Sequence, residues 1–145
     1  MQVFVAIDTW DNERAEVRVD GVVAWANSFT STTASAPLCG QQGVNDAYEE
    51  IFFTVSHYAD FVTVQVSTTL DSPASDESFG IDDIRIIPIL TGVDQPGYFE
   101  SFETGAESWV SNTPAVPPTM SSCEGSGFGA ILGLSLSLSL DAPTI

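Results

Sequence analysis

The residues of this chain that could do chemistry are mostly carboxylates. Asp8, Asp11 and Glu13 form one acidic group, and Glu77, Asp82 and Asp83 form another. Grouped oxygen donors suit a hard cation such as Ca²⁺, which takes several of them. Their spacing is not that of an EF-hand loop, so solvated carboxylates on loops and outward strand faces are the competing reading. Acid–base catalysis is poorly served. Asp82–Asp83 and Glu49–Glu50 are adjacent pairs, and neighbours on a strand point to opposite faces. His57 is the only histidine, and no spacing sets a Ser or Cys nucleophile beside it. No pair of carboxylates is marked as facing across a glycosidase cleft. The chain is therefore expected not to be an enzyme. Trp10, between Asp8 and Asp11, is the aromatic best placed to stack on a ligand such as a sugar ring; Trp25 and Trp109 are expected in the core.

The elements that must position these groups read as strands throughout. Runs at 3–7, 15–19, 22–25, 51–55, 61–66 and 84–89 are β-branched, aromatic or alternating. Asp20-Gly21 between two of them is a two-residue hairpin signal. A polar loop over about 27–46 carries Cys39. Residues 91–97 are a turn-rich linker, which divides the chain into 1–90 and 98–145. The second part ends in the most regular run of all, with Leu132, Leu134, Leu136, Leu138 and Leu140 alternating against Gly133, Ser135, Ser137 and Ser139. Met1, Val3, Val5 and Ile7 alternate in the same way at the other end. An apolar strand face at a terminus needs a partner, and 98–145 has too few elements to fold alone. The expectation is an all-β sandwich completed by strands from an adjacent copy or repeat.

Composition narrows the partners. Twenty acidic residues against three basic ones give a formal charge of −17, which disfavours nucleic acid and anionic membrane surfaces. No apolar stretch is long enough to span a bilayer as a helix. The 43% hydrophobic content and a mean hydropathy of +0.15 favour a packed core over disorder. Two cysteines, Cys39 and Cys123, in a Ser-, Thr-, Gly- and Pro-rich chain fit an extracellular setting, either as a bridge or as two thiols. With no leader evident, an extracellular protein of this sequence reads as a processed chain or a segment of a larger product. There is no Asn-x-Ser/Thr sequon, while 113–119 is Thr- and Pro-rich and suits O-glycans.

Two stretches carry a family likeness: Ile7-Asp-Thr-Trp-Asp-Asn-Glu13 followed by Val17, Val19-Asp-Gly21 and Trp25, and Asp76-Glu-Ser-Phe-Gly-Ile-Asp-Asp-Ile84. Together they resemble the jelly-roll β-sandwich modules of large extracellular proteins of ciliates and algae. Asn12 stands where that pattern has Gly, and Phe79 where it often has Trp. In those modules a strand similar to Phe99-Glu-Ser-Phe-Glu-Thr-Gly-Ala-Glu-Ser-Trp109, then a Cys loop, then a run similar to Ile131-Leu-Gly133, comes first rather than last. The order here is rotated, as if one module were cut in its middle.

The resemblance implies a galactose-binding-like jelly roll in an extracellular or cell-surface setting. With the rotated order, it implies a structural subunit or tandem repeat of a filament, in which copies join head to tail into a linear or helical polymer by strand donation. It also implies a Cys39–Cys123 disulfide. A structural Ca²⁺ would sit where opening and closing strands meet, at Glu100 or Glu103 with Asp82 or Asp83. The other reading from the same residues is a calcium-dependent carbohydrate-binding or adhesion module, monomeric and closed by its own C-terminal strands, with glycans as partners.

Overall fold

The computed structural model describes residues 2–30, 37–58, 61–73, 75–87 and 89, and beyond them the backbone of five further strands. Every regular element among the described residues is a strand, and no helix long and apolar enough to cross a membrane is present among them. The first part gives β1 (Gln2–Asp8), β2 (Asp11–Val19), β3 (Val22–Thr30), β4 (Ala47–Ile51), β5 (Phe61–Thr68), β6 (Glu77–Asp82) and β7 (Ile84–Ile86). The second gives β8 (Tyr98–Glu100), β9 (Trp109–Ser111), β10 (Thr119–Ser122), β11 (Gly129–Leu132) and β12 (Ser135–Asp141).

Two antiparallel sheets carry the core, ordered β4-β1-β6 and β3-β2-β5-β12-β9. Their inner faces supply alternate residues, as a sandwich requires. Phe4, Ala6, Phe79 and Ile81 come from one sheet, and Ala15, Val17, Val19, Phe29, Val64 and Val66 from the other. Phe4 lies at the centre. Its ring stacks on Phe79 and Phe29 at 5.5 and 5.4 Å and meets the edge of Trp10 at 5.9 Å. Aromatic pairs in these geometries add to the area they bury.

β1 is buried on both faces, which the alternation of Val3, Val5 and Ile7 does not reveal. Phe4 and Ala6 face the main core, while Val3, Val5 and Ile7 form a smaller cluster beneath Cys39. The loop at 37–46 thus serves as a lid on the outer side of β1.

The hairpin at Asp20-Gly21 forms as its sequence suggests. Both residues have positive φ, 50° and 79°, with Val19 opposite Val22, and Asp and Gly are the residues that tolerate that region. Asn12, at φ 111°, occupies a backbone conformation suited to glycine.

Three expectations need correction or qualification. The run at 51–55 is not a strand beyond Ile51, because the chain leaves one sheet there to enter the other at β5. The leucine run is not one strand either. Leu132 ends β11, which pairs with β10 and lies alongside β6, whereas β12 pairs with β5 and β9; Leu134 lies outside the described residues. Finally, the strands of the second part are placed on the first part of the same chain. β12 runs along β5 with Leu136 opposite Val66, Leu138 opposite Val64 and Leu140 opposite Val62, and β8 pairs with β7. The positions expected to be filled by a neighbour are filled within one chain.

Candidate functional site

Acidic side chains gather at the end of the sandwich where β1 stops and β2 and β6 begin, in two groups with different surroundings. In the first, Asp46 is fully buried. Its Oδ1 accepts the N–H of Asp8 at 2.9 Å, and its Oδ2 accepts those of Leu38 and Cys39 at 2.7 and 2.6 Å. Charge-assisted bonds from backbone donors are among the strongest available to a carboxylate. Here they fasten the 37–46 loop to the end of β1.

Asp8 completes the fastening. It has φ 69°, and its Oδ1 accepts the N–H of Gln41 at 2.6 Å. Gly40, at φ 64°, packs so closely that a Cβ there would fall inside the Asp8 carboxylate. Burial pushes the Asp8 carboxyl above its ordinary range. The Gln41 N–H opposes that shift, and the charges of Asp46 and Asp76 reinforce it. Gln41 Nε2 and the Thr9 hydroxyl both reach Asp76, so this group is a structural clasp with its oxygens largely occupied.

The second group is Asp11, Glu13 and Glu77. One oxygen from each lies within 4.8 Å of the others. Glu13 and Glu77 are buried and Asp11 is exposed. The donors that meet them are backbone N–H groups, Asp11 to Glu13 Oε2 at 2.6 Å and Ser72 to Glu77 Oε2 at 3.3 Å. The guanidinium groups of Arg14 and Arg18 are both engaged by Glu16. Burial raises the Glu13 carboxyl above its usual range, as do a hydrogen bond with the Asp11 side chain and the charge of Glu77. Such a group can share a proton or hold a hard cation.

The groups singled out in the sequence fare differently. Trp10 is 1% exposed; its ring packs on Phe4 and Phe29 and its indole N–H donates to the Ser78 carbonyl at 2.7 Å. It is a core residue, not a stacking platform. The positive φ of Asp8 turns the chain so that Trp10 enters the core although acids flank it.

Asp82 is buried and Asp83 half-buried at φ 51°, with the Asp83 N–H bonded to Asp82 Oδ1. Glu100 lies on β8 opposite Ile84, and Glu103 is outside the described residues. That predicted set lies at the other end of β6 from Glu77, about 17 Å along the strand. Cys39 is half-buried and is not a free thiol, and Cys123 lies outside the described residues. His57 pairs with Asp20 at 2.7 Å.

Sequence reasoning listed Asp11 and Glu13 apart from Glu77; the antiparallel register of β1 and β6, with Asp8 opposite Glu77, joins them. It missed Asp46 altogether. Comparison with family models, curated proteins and solved structures finds no match to this chain.

These carboxylates set an expected pH profile. Asp8 and Glu13 have folded-state values above their unfolded ones, so protonation favours the fold. Their contribution to stability falls as pH rises from about 4 through the raised folded values. Glu16, held down by its bond to Arg18, and Asp20, held down by the Thr63 N–H, act oppositely. Their contribution is full above about pH 4.3 and is lost as pH falls through the lowered values. Urea midpoints should therefore rise on acidification from pH 7, peak near about pH 4–5 and then drop. Glu13→Gln should flatten the neutral limb. A midpoint that falls steadily from pH 7 downward would contradict this balance.

Proposed function

We propose that this chain is a non-catalytic structural subunit or repeat of an extracellular filament, a jelly-roll sandwich whose copies join head to tail by strand complementation. One observation carries the reading. The second part adds β12 and β9 to one core sheet beside β5, pairs β8 with β7, and lays β11 alongside β6. A donor strand from a neighbour meets the same edges in the same register, because backbone pairing is indifferent to which copy supplies the strand. The 91–97 linker is the segment across which the parts would exchange. Exchange that does not close on itself gives open fibres.

Cys39 belongs to the first part and Cys123 to the second, so a bridge between them reports on exchange. In a head-to-tail assembly it joins two copies. Non-reducing electrophoresis should then give a ladder that collapses on reduction. A single unreduced band at 15.4 kDa that carries no thiol open to alkylation would mean a bridge closed within one chain and would end this reading.

The second reading, a calcium-dependent adhesion or carbohydrate-binding module, is favoured by the Asp11, Glu13 and Glu77 oxygens, which suit a hard cation. Ca²⁺ at millimolar concentration should then raise the melting temperature at pH 7, and Glu77→Gln should remove the shift. No shift in the parent chain would leave the cluster to share a proton.

A further inference from the structure

We draw no further inference here: the strongest candidate, the surface patch of exposed aromatic side chains at Phe52, Tyr58 and Phe61 along the crossover from β4 into β5, supports no proposal because nothing in the structure shows what covers it.

Discussion

Asp46→Ala is expected to destabilise the chain by about 3–5 kcal/mol, the scale of removing one partner from a buried charged network. The carboxylate accepts from Asp8, Leu38 and Cys39. Alanine would leave all three donors beside a cavity, with nothing to replace the oxygens. The loss would also loosen the 37–46 loop over Val3, Val5 and Ile7. A typical domain has only about 5–15 kcal/mol in hand, so the variant should melt far below the parent. Asp46→Asn, which keeps one acceptor oxygen and adds donors, should recover only part of the difference. Urea denaturation checks this, and a loss under about 1 kcal/mol would mean that the loop is held by something other than its clasp.

The second large effect is expected at β12. Leu136 and Leu138 lie opposite Val66 and Val64, which are buried, and directly opposed residues of an antiparallel pair share one face of the sheet. Leu136→Asp with Leu138→Asp would set two charges at the register positions opposite buried Val66 and Val64, where like-faced apolar pairing is what stabilises the sheet. Whether β12 comes from the same copy or a neighbour, the sheet beside β5 loses its strand. Assembly should disappear and the urea midpoint should drop. Intact filaments in electron micrographs of this variant would show that β12 does not join the copies.

What could be read in the sequence is what local chemistry decides. Asp20-Gly21 announced its hairpin because the required backbone conformation belongs to those residues. The strands at β2, β3 and β5 were visible in their β-branched alternation, and the absence of helix among the described residues followed from the period of two. The clasp was not visible, because the donors to Asp46 are backbone N–H groups that any residue carries. Nor was the Asp11, Glu13 and Glu77 group, whose members meet only through the long-range pairing of β1 with β6. Trp10 misled for a related reason: acidic neighbours suggested a surface, but the turn at Asp8 aims the ring inward. The 51–55 run has the composition of a strand, and the change of sheet after Ile51 ends the strand there. In the leucine run, Gly133 was the one residue that could have marked a break.

The central claim, that copies join by exchanging strands, is tested most directly by sedimentation of the chain across a wide concentration range, with electron microscopy of the same samples. A series of oligomers extending into filaments is expected. A compact monomer of 15.4 kDa at every concentration would contradict the claim and leave a sandwich closed by its own strands.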